Sequence, residues 1–126
     1  MEEEINAWLA DILNAIGEIE AFLPVEKNFL TFQEDLRTRR AIERNIEIMG
    51  ESMSRILRVR PEISISSARK IVDTRNRISH GYDSVSAEIL WSIVIRDLPL
   101  LKREVQLLCL LARSGRSRTS VWFFRL

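Results

Sequence analysis

Apolar residues recur at steps of three and four along almost the whole chain, and this period constrains the fold more than any other feature. From Glu2 to Leu23, Ile5, Trp8, Leu9, Ile12, Leu13, Ile16, Ile19 and Leu23 form one helical stripe. Glu2, Glu3 and Glu4 complement the dipole of its first turn, and Pro24 ends it. A second helix is predicted from Thr31, which has capping-box spacing with Glu34, to about Val59. Its stripe starts at Phe32 and Leu36, then steps four, three, four, three through Ile42, Ile46, Met49, Met53 and Ile56, with Leu57 beside it, as in bundle packing. Glu43, Arg44, Glu47 and Glu51 make its polar face. Gly50 costs this helix about 1 kcal/mol relative to alanine, so it marks either a close helix crossing or nothing at all. Pro61 stops the run.

A third helix is expected over about Ile65 to Ser79, capped by Ser64 or Ser66, with Ile65, Ala68, Ile71, Val72 and Ile78 apolar and Gly81 ending it. A fourth spans about Ser86 to Ala112 on Ala87, Leu90, Val94, Leu98, Leu101, Val105 and Leu108, with Pro99 expected to kink it. Only four glycines and three prolines occur in 126 residues, which fits a few long elements and short loops. No stretch shows strand alternation, and no internal repeat is present. The reading is one all-α domain over 1–112, followed by a basic and aromatic tail, 113–126. Val121-Trp122-Phe123-Phe124 in that tail either hangs loose or packs on the body or a partner.

Charge divides the chain. Residues 1–36 hold nine acids and one lysine, a net of −8, and residues 37–126 hold eighteen bases and nine acids, a net of +9. Sixteen of the nineteen bases are arginine, whose planar fork suits phosphate better than the point charge of lysine. Such asymmetry does not by itself establish nucleic-acid binding. Cys109 is the single cysteine and lies in an apolar run, so it is expected to be a buried, inert thiol in a reducing, cytoplasmic compartment. The acidic start is unlike a signal peptide, and no apolar run approaches the roughly 20 residues that span a bilayer. One His and one Cys cannot build a zinc site, and no metal or cofactor is expected.

The chemistry gathers in Arg75-Asn76-Arg77-Ile78-Ser79-His80-Gly81-Tyr82, which holds the only histidine and the only tyrosine. A proton carrier for neutral pH, fixed positive charge and a phenol suit work on a phosphate ester. A helix turns 100° per residue, so Arg75 and His80 are expected to converge only if the helix ends or bends between them. Asn76 is placed to orient the arginine or the phosphate, and Arg77 adds charge. RNA cleavage through the ribose 2′-hydroxyl needs a base, a cation for the charge on the non-bridging oxygens, and an acid for the leaving oxygen. His80 fits the acid or base and Arg75 the cation. One His cannot conveniently do both jobs in one step, and a two-fold dimer would supply a second. On these residues alone, a lone histidine near a helix end such as His80 usually caps or packs, and an Arg–His pair is more often incidental than catalytic.

Arg75, His80 and Tyr82 form R-x-x-x-x-H-x-Y, which resembles the signature of HepT-type toxins in the HEPN superfamily. Arg44-Asn45-Ile46-Glu47-Ile48-Met49-Gly50-Glu51 is similar to that family's second-helix segment, and Asp97-Leu98-Pro99-Leu100-Leu101 to its kinked last helix. The resemblance covers roughly residues 5–111. It implies a four- to five-helix up-and-down bundle that dimerises with the motif in a shared cleft. It implies a metal-independent endoribonuclease acting on RNA, with Arg75 and His80 catalytic and no DNA or membrane role. It also implies a toxin–antitoxin pair whose partner, a minimal nucleotidyltransferase, silences the toxin by transferring AMP to Tyr82. The tail after Ala112 has no counterpart in the resemblance. The rival reading is a non-catalytic nucleotide-binding or helical interaction module that partners a nucleotidyltransferase.

Overall fold

A computed structural model describes residues 1–81 and 85–113 of the chain. Its elements are α1 (Glu2–Phe22), α2 (Phe29–Glu34), α3 (Leu36–Val59), α4 (Ala68–His80), α5 (Ala87–Ser92), a π turn (Ile93–Asp97) and α6 (Leu98–Arg113). Among the described residues there is no strand, and the architecture is the expected all-α bundle. None of these helices is long and apolar enough to cross a membrane. Tyr82 and the tail from Ser114 onward lie outside the described residues.

The long helices α1 and α3, α3 and α4, and α1 and α6 pack antiparallel. Arg60, just past α3, reaches Glu2 at the start of α1 at 3.3 Å. Glu47 and Glu51 of α3 meet Ser79 and Arg75 of α4 in reversed order. Lys102 of α6 grips Glu20 near the end of α1 at 3.0 Å, while Cys109 shares a groove with Asn6 near its start. α3 therefore has α1 on one side and α4 on the other, and α6 covers the far side of α1. The core is one cluster. Ile5, Leu9, Ile12, Ile16 and Ile19 from α1 and Ile42, Ile46, Met49, Met53 and Ile56 from α3 are all completely buried. At about 1.5–3 kcal/mol per buried aliphatic side chain, this seam dominates the stability. The seven positions from Ala87 to Leu108 that mark the last stripe are likewise all buried.

The second helix departs from the expectation. The run from Thr31 to Val59 is two helices, broken at Asp35. Thr31 does not open a helix with Glu34. Asn28 caps α2, its side-chain oxygen accepting from the Thr31 N–H at 3.1 Å. Asp35 then caps α3, accepting from the Thr38 N–H at 3.0 Å and from the Thr38 hydroxyl at 2.6 Å. These bonds, with Arg37 and Arg39 adjacent, hold the Asp35 carboxyl below its ordinary range. The break turns Phe29 and Phe32 of α2 onto Trp91 of α5, with ring centroids 5.9 and 5.0 Å away, and leaves Leu36, expected in the stripe, half in solvent.

Two smaller differences follow from backbone chemistry. α4 begins at Ala68, and neither Ser64 nor Ser66 caps it; the Ser66 N–H and hydroxyl instead donate to Glu104 of α6. Near Pro99, the helix widens into a π turn in which the Leu98 N–H donates to the Ile93 carbonyl. Pro99 has no N–H for the Ile95 carbonyl, and the extra residue in the preceding turn absorbs that gap.

Candidate active site

α4 carries Arg75, Asn76, Arg77 and His80, and α3 shapes the space beside it. Ala68, Ile71 and Thr74 of α4 are buried, and Arg75 continues that face. Arg75 thus belongs to the packing face of α4. Gly50 makes this possible. A Cβ on Gly50 would lie 2.3 Å from the Arg75 Cβ and 2.6 Å from its Cγ, so the close crossing requires glycine. The aliphatic stem of Arg75 lies over the Gly50 backbone, and its guanidinium emerges beside Glu51.

The guanidinium is held at two points. One terminal nitrogen bonds the Glu51 carboxylate, and the other donates to the Asn76 side-chain oxygen at 2.9 Å. Three of its five donors remain for an anion. The second Glu51 oxygen takes Arg55 at 3.0 Å, so one carboxylate stands between two guanidiniums.

His80 is the last residue of α4, and the helix runs through it without the expected end or bend after Arg75. Gly81 closes the helix at φ +69, in the left-handed region, where its missing Cβ avoids strain. At 100° per residue, Arg75 and His80 lie about 140° apart around the axis. Asn76 sits between them and bonds both. Its side chain holds Arg75, and its backbone carbonyl lies 2.6 Å from Nδ1 of His80. A carbonyl only accepts, so Nδ1 carries a proton there. Nε2 of neutral His80 is then the free acceptor, and the residue is exposed. Arg77 points elsewhere. It is exposed, on the far side of the helix from Arg75, with no ion-pair partner among the described residues.

Arg75 opens into a groove of about 320 Å³ between α1, α3 and α4. Arg44, Glu47, Glu51, Arg55 and Ser79 line it too, and Ser79 donates to Glu47 at 3.3 Å. Sequence reading placed Glu47 and Glu51 on a solvated face. The available signal was Gly50, which marks the crossing that turns this face toward α4. Cys109 is half-buried rather than fully buried, and its desolvation pushes the thiol pKa up, which keeps it a neutral thiol. Among the described residues no group of three His, Cys, Asp or Glu is arranged to hold a metal ion.

Residues 12–108 match the family described as Ribonuclease HepT-like. A Thermococcus cleftensis protein named as a probable ribonuclease HepT is 35% identical over 106 residues, covering 81% of this chain and 93% of its own. A Methanocaldococcus jannaschii protein named as a candidate RNase is 27% identical over 110 residues, covering 83% of this chain and 87% of its own. No solved structure matches the chain. The matched residues contain all of α3 and α4 and the groove residues that these two helices supply, and the chain belongs to the HepT-like ribonuclease family.

Proposed function

We propose that this chain is a metal-independent endoribonuclease and the toxin of a pair whose antitoxin is a minimal nucleotidyltransferase. The observation that carries this reading is the double use of Asn76, which ties the Arg75 guanidinium and the His80 ring to one residue. Neutral His80 takes the proton of a ribose 2′-hydroxyl at Nε2. The 2′-oxygen attacks the adjacent phosphorus, and the bond to the 5′-oxygen breaks. Arg75 receives the charge that grows on the non-bridging oxygens. An acid protonates the departing 5′-oxygen. Because each chain has one histidine, a homodimer with both motifs facing one cleft supplies acid and base together.

Purified protein should cut RNA in EDTA and leave 2′,3′-cyclic phosphate and 5′-hydroxyl ends. His80→Ala should lose this activity, and unchanged cleavage by that variant overturns the assignment. A monomer by light scattering that still cuts RNA removes the dimer from the mechanism. Tyr82 lies outside the described residues, and its proposed role rests on its place in the motif. The antitoxin transfers AMP from ATP to its phenol oxygen, the new O–P bond replacing the bond to the departing pyrophosphate, and the added phosphate pairs with Arg75 or Arg77 while the adenosine fills the substrate's space. Co-expression should add AMP mass increments to the Tyr82 peptide, and Tyr82→Phe should stay toxic and escape neutralisation. An unmodified Tyr82 in neutralised protein means instead that the antitoxin blocks the cleft by binding it.

A further inference from the structure

We propose that the groove along α3 is the track for the phosphate backbone of a single-stranded RNA, with Arg44 and Arg55 gripping phosphates on either side of the one that Arg75 holds. This rests on the ribonuclease reading and extends it to two residues outside the motif. Arg44, Ile48, Glu51 and Arg55 step four, three, four along α3, so they share one face, and all four line the groove. The Cβ and Cγ of Arg75 lie against Gly50 from the opposite wall. The helical rise of about 1.5 Å per residue then sets the Arg75 stem, level with Gly50, about 9 Å along the axis from the Arg44 backbone and about 8 Å from the Arg55 backbone. Three guanidiniums spaced in a row along one channel fit a chain of phosphates better than a single small anion.

The groove lining holds as many acids as arginines, Asp11, Glu47 and Glu51 against Arg44, Arg55 and Arg75, so the grip rests on where the free donors stand and not on net charge. Both Glu51 oxygens are occupied, one by Arg55 and one by Arg75. That carboxylate fixes the separation of the two forks and leaves their other donors for phosphate. Glu47 accepts from Ser79. Arg44 is exposed and has no ion-pair partner among the described residues. Asp11 marks the α1 edge of the groove, so the strand runs along the α3–α4 side. A backbone grip of this kind orders the strand without reading its bases.

The test uses the full chain and a fluorescently labelled 2′-O-methyl oligoribonucleotide, which cannot be cut because the attacking hydroxyl is blocked. Anisotropy titrations over a KCl series give the dissociation constant and its salt slope. Each phosphate contact on a single strand contributes about 0.7 to that slope. Arg44→Ala and Arg55→Ala should each lower the slope by about 0.7 and weaken binding about tenfold. Arg55→Lys, which keeps a charge beside Glu51, should retain the slope. Arg69→Ala, exposed on α4 outside the groove, should match wild type. On cleavable RNA, Arg44→Ala should raise KM and leave kcat unchanged. Wild-type slope and affinity in both alanine variants overturn the proposal, as does a wild-type protein that does not bind the strand. Cleavage that persists with an unaltered slope leaves the nuclease and removes the track. Binding with the predicted slopes by a protein that cuts no RNA leaves the track and removes the nuclease.

Discussion

The two seams of α3 are built from different materials. Against α1 it presents a seam dominated by completely buried isoleucine and methionine. Against α4 it presents Gly50, Glu47 and Glu51, and α4 answers with Arg75 and Ser79. The first seam gains from every methylene removed from water. The second keeps the burial of Ala68 and Ile71 but gives up part of that gain to bring two backbones close and to hold a guanidinium in a fixed place. One helix thus separates stability and chemistry onto opposite sides, and substitutions on each side should fail in different assays.

The largest contrast is between Ile46→Ala and His80→Ala. Ile46→Ala should cost about 2–5 kcal/mol of unfolding free energy in urea denaturation. His80→Ala should leave that midpoint within the scatter expected of an exposed site and reduce RNA cleavage by about 10²–10⁴. Equal stability losses in both variants would erase the division. Gly50→Ala crosses it. The new Cβ meets the Arg75 stem, so about 1–3 kcal/mol should be lost. Displacing the guanidinium should also slow cleavage by up to about 10²-fold. A Gly50→Ala protein that loses stability but cuts normally would mean that Arg75 tolerates movement.

Glu51→Gln keeps the shape and removes the charge. It should lower kcat by about tenfold through loss of a charge-assisted bond to Arg75. Glu51→Asp should recover part of that rate, and unfolding should change little. The smallest effect lies outside both seams, at Asp35. A carboxyl held below its ordinary range stabilises the fold while ionised. That contribution is complete above about pH 4 and fades as acid protonates the native group. The stability difference between wild type and Asp35→Asn should therefore shrink as pH falls from 7 to 3 in denaturation midpoints. A difference constant over that range would show that the Thr38 contacts do not depend on ionisation.

The apolar seam was legible because burial follows period. Every position of the last stripe, from Ala87 to Leu108, is buried, and the α3 steps from Ile42 to Ile56 all enter the core. The break at Asp35 was hidden because its cap partner Thr38 stands among arginines that read equally well as a helix surface. Thr31 and Glu34 offered a rival cap in the same window. Arg75, Asn76 and His80 stood out as residues, but their geometry did not. The helix continues through His80, and a backbone carbonyl, which no side-chain pattern advertises, joins the ring to Asn76. Glu51 was illegible for a third reason. A glutamate at helical spacing from arginines looks solvated until the neighbouring helix is known, and only the Gly50 contact tells which helix that is.

The tie between Nδ1 of His80 and the Asn76 carbonyl makes the ring a device with a single port. Every proton must enter and leave through Nε2. In an in-line displacement the attacking and departing oxygens stand on opposite sides of phosphorus, so one port cannot face both at once. A solitary ring would have to swing across the reaction or discharge its proton to water between the two halves. Cleavage would then be slowed by proton exchange and would respond to small buffer molecules able to ferry protons. Two rings facing one strand need no ferry, and their turnover should be indifferent to buffer concentration at fixed pH and ionic strength.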